Sequence, residues 1–420
     1  MMSVDQSSTV SASPAERTEL GLSVLAFAAL TVAMVAVSPA RLVYDETVFY
    51  PNIALLMRVG LNAEFLRALD QSPGPLYQLF HLAWAGVTGL EIRSMRLLNL
   101  ACIGLCIPLL AGWASTMRLG SSARWSIAGS MLAIPPMWVI SGLALTEAPA
   151  MLCLCASIFL LLRALRRSGG VVPALMAVLA GLLLSLAIIG RTPYLLVIPA
   201  AWAFALEPGF KAWRVLGVFT VAALLLPVPM FLAWGDLMPP PVSVIQSGLN
   251  PLFGLYGFAY AGLFVSLIAP GWLRWIPRAA AAAALLAGAG ALANNFSHWL
   301  TFLPLQTVVE RLLPAAVVLR LGYTFPAVLA AVGLYYLLLM LVQVWDAREN
   351  TMRLFLLLGA MAIIATCAKS AAQFSSRYVV QAAPFLVFVA ADSSARGNGR
   401  LWRLLLGTVL GLASLLSYYR

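Results

Sequence analysis

Charge is what this chain has least of. Acidic and basic side chains together make up 10% of 420 residues against 62% hydrophobic ones, a balance that cannot cover a water-soluble domain. The sequence therefore reads as a polytopic membrane protein. Histidine is scarcer still. His81 and His298 stand alone, without paired carboxylates at ligand spacing, so no metal site is indicated and no cofactor is called for. The five cysteines, Cys102, Cys106, Cys153, Cys155 and Cys367, lie inside apolar runs, where a thiol behaves as a small hydrophobe; neither a disulfide framework nor a zinc site is indicated. Residues 1–19 lack the basic start and small-residue cleavage site of a secretory signal and read as a short disordered cytoplasmic tail. Residues 20–420 then form a single transmembrane domain. No inverted repeat of the kind many transporters carry is visible.

The charge that remains is mostly basic, and it is placed with a rhythm. A formal charge of +11 on a soluble protein would suggest nucleic acid. Here arginines fall in short clusters between apolar runs, the pattern of topology signals beside anionic headgroups, so the partners are membrane lipids and not nucleic acid. With about 20 apolar residues needed per crossing, the chain divides into thirteen all-α spans: 20–39, 93–116, 126–140, 149–162, 171–189, a sixth ending before Lys211, 215–231, 252–268, 279–293, 321–342, 354–368, 379–389 and 404–416. Every even-numbered span ends in a basic cluster, from Arg118 and Arg124 to Arg396, Arg400 and Arg403. With a cytoplasmic tail, that alternation puts residues 41–92, Glu147, Arg191 and Arg377 outside. The stretch 75–89, holding Gln78 and His81, would break the alternation if it crossed. It is expected to form an interfacial helix within a large first outer loop, 41–92. A second outer segment carries Glu310, Arg311 and Arg320.

Asp45 and Glu46 follow the first span directly. Adjacent carboxylates at the end of a hydrophobic helix cost free energy unless something uses them, which makes them the first candidates for chemistry. Further along come Ser72-Pro-Gly-Pro-Leu-Tyr77, Arg93 with Arg96-Leu-Leu, Thr146-Glu147-Ala-Pro149, Gly190-Arg191-Thr-Pro193 and Arg377-Tyr378.

This ordered set resembles the GT-C superfamily of polyprenyl-phosphate-sugar-dependent membrane glycosyltransferases. Asp45-Glu46-Thr-Val-Phe with Ser72-Pro-Gly-Pro-Leu-Tyr77 is similar to the dolichyl-phosphate-glucose glucosyltransferases of N-glycan assembly. The general layout is equally similar to protein O-mannosyltransferases and to the aminoarabinose transferases that modify lipid A. Pro-Gly-Pro stands where many mannosyltransferases have His-Pro-Pro. The resemblance implies an inverting transferase of the bacterial inner membrane. It would move a sugar from a polyprenyl-phosphate donor to a lipid, glycan or protein acceptor on the periplasmic or exterior face. The competing class is a flippase or transporter of a lipid-linked saccharide, which would carry ionisable groups along its spans rather than at one face.

By position in the family motif, Asp45 is the expected general base, against a helix-capping role or pairing with Arg41. Glu46 is either its partner in the site or a solvated neighbour. Glu147 would position the acceptor or orient a cation, against the acid of a helix first turn. Arg377 and Tyr378 match the late Arg-Tyr signature. A planar five-donor guanidinium suits a phosphate, against simple anchoring at the interface. Arg191 is a second phosphate candidate, and Arg96 matches the family's Arg-Leu pair, against snorkelling for it and for Arg93.

Overall fold

In a bilayer every backbone N–H and C=O must be satisfied within the chain, so apolar runs of this length become helices. The computed structural model describes residues 14–71, 74–117, 121–167, 170–207, 213–245, 248–303, 309–310, 313–370, 373–391 and 400–419. Arg118, Lys211, Arg311, Arg396, Ser72 and Pro73 lie outside them, as do residues 1–13 of the expected tail. No strand occurs among the described residues.

The first helix, α1 (Pro14–Val37), begins earlier than expected, with Pro14 at its first position, where a missing N–H costs nothing. The outer loop folds into α2 (Glu46–Phe49), α3 (Pro51–Val59), α4 (Ala63–Ala68) and α5 (Leu76–Thr88). α3 and α5 end at Gly60 and Gly89, whose φ angles of 74° and 77° are costly for other residues. With 13 residues, α5 is only about 20 Å long, too short for a hydrocarbon core of about 30 Å. It does not merely lie on a surface. Leu76, Tyr77, Gln78 and His81 are buried.

The remaining helices follow: α6 (Ile92–Ser115), α7 (Ser121–Ser130), α8 (Pro135–Gly142), α9 (Glu147–Leu165), α10 (Val171–Gly190), α11 (Val197–Ala201), α12 (Trp213–Leu224), α13 (Pro227–Trp234), α14 (Pro240–Ile245), α15 (Pro251–Ile268), α16 (Pro277–Ser297), α17 (Ala315–Asp346), α18 (Thr351–Ala365), α19 (Ser376–Val380), α20 (Ala383–Val389) and α21 (Arg400–Tyr419). Nine segments among the described residues are long and apolar enough to cross a membrane. They coincide with nine of the thirteen expected spans. The remaining four are the first, third, sixth and twelfth. The third breaks between α7 and α8 at Pro135-Pro136, the sixth is a chain of short turns containing Pro193 and Pro199, and the twelfth breaks between α19 and α20. Proline removes a backbone donor and clashes with the preceding turn. These broken segments are largely buried among the continuous helices, where irregular backbone is tolerated.

Within the bundle α10 packs on α9 and α12, α6 on α9, and α17 on α15 and α16. α16 is mostly exposed, with Leu285, Leu292 and Phe296 turned outward, as a lipid-facing helix requires. All five cysteines are buried in this packing. Two glycines bring the outer loop onto the bundle. A Cβ on Gly190 would meet Leu76 Cδ2 at 2.5 Å and Ala150 Cβ at 2.8 Å, so its absence lets the start of α5 rest on α9 and α10. A Cβ on Gly74 would meet Ile189 O at 2.8 Å, which accounts for glycine in the middle of Pro-Gly-Pro.

Candidate functional site

Asp45 and Glu46 have opposite fates, and the turn before them decides which goes where. Tyr44 has φ +52°, a left-handed conformation that costs a non-glycine residue about 1–3 kcal/mol. Glu46 holds that turn. Its Oε2 accepts from the Val43 N–H at 3.0 Å and from Arg96 Nη2 at 2.6 Å, and its Oε1 accepts from Arg96 Nε at 2.9 Å and the Ala144 N–H at 2.8 Å. Arg96 also donates to Ser38 Oγ at 2.7 Å, Pro39 O at 2.8 Å and Arg41 O at 3.1 Å. Both side chains are fully buried. Arg93 donates to Ser38 O at 2.8 Å from the same helix. The Glu46–Arg96 pair therefore fastens the end of α1 to α6 and to the segment before α9. It does not reach the pocket.

Asp45 points the other way. It is half-buried and ion-paired with Arg377, itself buried at the start of α19. Arg377 lies over the rings of Tyr44 and Tyr378, with Cζ 5.1 and 5.6 Å from their centres. Such stacking holds a guanidinium without using its N–H groups. Tyr44 packs in turn on Tyr418 of α21, ring centres 4.7 Å apart, and burial pushes its hydroxyl up to about 12. That phenol stays protonated at neutral pH.

Glu147 opens α9 and is fully buried, its charge favoured there by the helix dipole. Thr146 makes no capping bond. Glu147 instead pairs with Arg191, and Arg377 Nε lies 3.6 Å from its Oε1, so one carboxylate sits behind two arginines.

Asp45, Arg191, Arg377 and Tyr378 line one pocket of about 400 Å³. It is built from the ends of helices: Asp70 and Gln71 after α4, Thr192 and Pro193 after α10, Leu237, Met238 and Val242 around α14, Lys369 and Ser370 after α18, and Gln381 after α19. Arg377 Nη1, Arg191 Nε and Gln381 Oε1 are buried there without a hydrogen-bond partner among the described residues. Buried N–H groups with no acceptor are costly unless a ligand supplies one.

Lys369, Asp70, Gln71, Gln381 and Tyr44 were not singled out by the sequence reading. One signal was available for Lys369: the chain has only two lysines, Lys211 and Lys369, among 26 basic residues. His81 lies in α5, buried, with Nδ1 2.9 Å from Tyr77 O, and burial lowers it to about 4. His298 caps α16 and packs edge-on against Tyr323 at 4.5 Å. Neither lines the pocket. No group of three or more potential metal ligands occurs among the described residues.

No protein-family model matches the chain, and no curated protein matches it. Solved structures do. ArnT from Cupriavidus metallidurans bound to undecaprenyl phosphate has 16% identity and a TM-score of 0.50, the match covering 96% of this chain and 64% of that one. The same protein in the apo state gives 16%, 0.51, 95% and 64%. An oligosaccharyltransferase from Archaeoglobus fulgidus follows at 15% and 0.35, over 95% of this chain and 58% of that one. The chain thus spans a little under two thirds of the ArnT structures. The likeness is one of fold, shared with the two ArnT structures.

Proposed function

We propose that the protein is an inverting glycosyltransferase that moves a sugar from a polyprenyl-phosphate carrier to a hydroxyl of a lipid, glycan or protein acceptor. The observation that carries this reading is the pair of buried arginines. Arg377 Nη1 and Arg191 Nε have no acceptor among the described residues, and both arginines line a pocket that also holds Lys369 and a carboxylate. A phosphodiester would supply the missing acceptors. The ArnT of the same fold is described with undecaprenyl phosphate bound.

In this proposal the donor phosphate accepts hydrogen bonds from Arg377, Arg191 and Lys369. Lys369 is exposed at the pocket rim and has no ion-pair partner among the described residues, so it meets the phosphate first. The phosphate then competes with Asp45 for Arg377. Asp45 is released by the arrival of the donor and takes the proton of the acceptor hydroxyl. The acceptor oxygen attacks the anomeric carbon on the face opposite the phosphate, the carbon–oxygen bond breaks, and its electron pair leaves on the phosphate oxygen. The products are an inverted glycoside and the polyprenyl phosphate. Arginines already in place offset the growing charge on the leaving group. Tyr44 and Tyr378 hold Arg377 by their rings, and Glu147 holds both arginines from behind. The alternation of arginine clusters supports a pocket on the extracytoplasmic face of an inner or plasma membrane.

Purified protein in nanodiscs, incubated with isotope-labelled polyprenyl-phosphate sugars and membrane extract, should consume a donor and form a new glycoside. Donor that crosses a proteoliposome membrane unchanged, with no glycoside formed, would replace this reading by transport. Lys369→Ala should weaken undecaprenyl phosphate binding about tenfold, the loss of one charge-assisted contact.

A further inference from the structure

Three of the four acids named so far are already committed to arginines. Glu46 belongs to Arg96, Glu147 to Arg191 and Arg377, and Asp45 to Arg377. Asp70 is different. It lines the pocket, and among the described residues no cation pairs with it.

Asp70 is nevertheless held. Nδ2 of Asn52, a side chain 5% exposed on α3, donates to Asp70 Oδ1 at 2.8 Å. The same nitrogen lies 3.3 Å from Gln71 Oε1 and 3.1 Å from Val48 O, so one buried amide serves three acceptors at once. An amide fixes a carboxylate's direction without neutralising it. Asp70 Oδ2 takes no hydrogen bond from the described residues, and the residue is exposed to the pocket. Val48, Leu195, Leu196 and Met238 add apolar surface to the same lining. The pocket therefore combines phosphate donors, a surface for C–H groups, and an oriented acceptor with no charge partner among the described residues. A ligand matching that combination of chemistries has a phosphate, an apolar ring face and hydroxyl donors.

We infer that Asp70, oriented by Asn52, is the residue that reads the sugar, accepting hydrogen bonds from ring hydroxyls of the group to be transferred. This rests on the donor reading above and assigns within it a specificity-determining residue separate from the phosphate contacts. A carboxylate accepting from a neutral hydroxyl contributes about 10- to 100-fold in affinity.

The test separates the sugar from the phosphate. Undecaprenyl phosphate and its glucose-, mannose- and arabinose-linked forms are titrated into nanodisc-embedded wild type, Asp70→Asn and Asn52→Leu. Wild type should bind at least one sugar-bearing lipid more tightly than bare undecaprenyl phosphate. Asp70→Asn should lose that preference by about 10- to 100-fold while keeping wild-type affinity for the bare lipid. Asn52→Leu should move in the same direction by a smaller factor, since the carboxylate remains but its aim is lost. Retention of bare-lipid binding also reports that each variant is folded. A wild type without preference among the four lipids, an Asp70→Asn variant that keeps the preference, or one that weakens bare and sugar-bearing lipids alike would each overturn the assignment. Failure of wild type to bind any of the lipids would instead remove the donor reading beneath it.

Discussion

The adjacent carboxylates allow a sharp experiment, because neutralising one should damage stability and neutralising the other should damage turnover. Glu46→Gln changes one oxygen to an amide inside a fully buried site. Four donor contacts converge on that carboxylate, two of them from the buried Arg96. The glutamine can still accept at one oxygen, but its NH₂ must then face an arginine or a backbone N–H, and Arg96 is left with only neutral acceptors. Removing one partner of a buried ion pair typically costs about 3–5 kcal/mol. Against a total stability on the order of 5–15 kcal/mol, that is a large share. Asp45→Asn differs in both respects. Asp45 is 28% exposed and Arg377 keeps Glu147 nearby, so the stability cost should be about 1 kcal/mol or less. Turnover should fall about 10²- to 10⁴-fold, the worth of a positioned base. Thermal unfolding in detergent, undecaprenyl phosphate binding and donor consumption are measured on the same preparations. Glu46→Gln should unfold early yet turn over near the wild-type rate at temperatures where it is folded. A Glu46→Gln protein as stable as wild type, or an Asp45→Asn protein that loses as much stability as Glu46→Gln, would refute the division of roles.

Arg377→Ala should weaken donor binding or slow transfer by about 10- to 100-fold, with Arg377→Lys recovering only part because a point charge cannot make a bidentate contact; donor titration of both variants checks this. Single cysteines at positions 62 and 91, both exposed, should react with an impermeant thiol reagent from the same, outer side, whereas protection of position 91 until the membrane is opened would place a crossing between them. His81, lowered to about 4 from an ordinary 6.5, binds more protons unfolded than folded, so its contribution is complete above pH 6.5 and is lost as pH falls toward 4. The loss should reach about 3 kcal/mol by pH 4, and His81→Gln should flatten that acid limb in unfolding measurements across pH.

Apolar run length was enough to find the helices, since each expected span contains helical structure, but not to say which are continuous. The prolines at 135, 193 and 199 were visible as residues. What was not visible is that neighbouring helices shelter the broken backbone, a property of packing rather than of the run itself. Helix ends erred for a related reason. α17 extends to 32 residues, about 48 Å, because a helix can continue beyond the hydrocarbon wherever it has a partner to pack on. The site was legible in its parts. Asp45, Arg191, Arg377 and Tyr378 were named as candidates and share one pocket. Asp70 and Lys369 were not, because a charge at the end of an apolar run is equally a topology signal, and only the closed bundle shows which of them face a cavity.

The pairing of charges is the part no local pattern could contain. Asp45 and Arg377 are 332 residues apart, and Glu46 and Arg96 are 50 apart. Local geometry goes one step: consecutive residues entering a helical turn point about 100° apart, so two adjacent carboxylates cannot both face one pocket. Which one turns inward depends on what waits there. The Val43 and Ala144 N–H groups and the Arg96 fork lie on the inner side, and the strained Tyr44 aligns Glu46 with all three. Asp45 is left at the pocket because the interior is already satisfied. The same logic orders the rest of the site. A buried arginine must have a carboxylate, so Glu46 beside Arg96 and Glu147 beside Arg191 and Arg377 are fixed by folding. Asp70 and Lys369 line the pocket without that obligation, since neither pairs with a charge among the described residues.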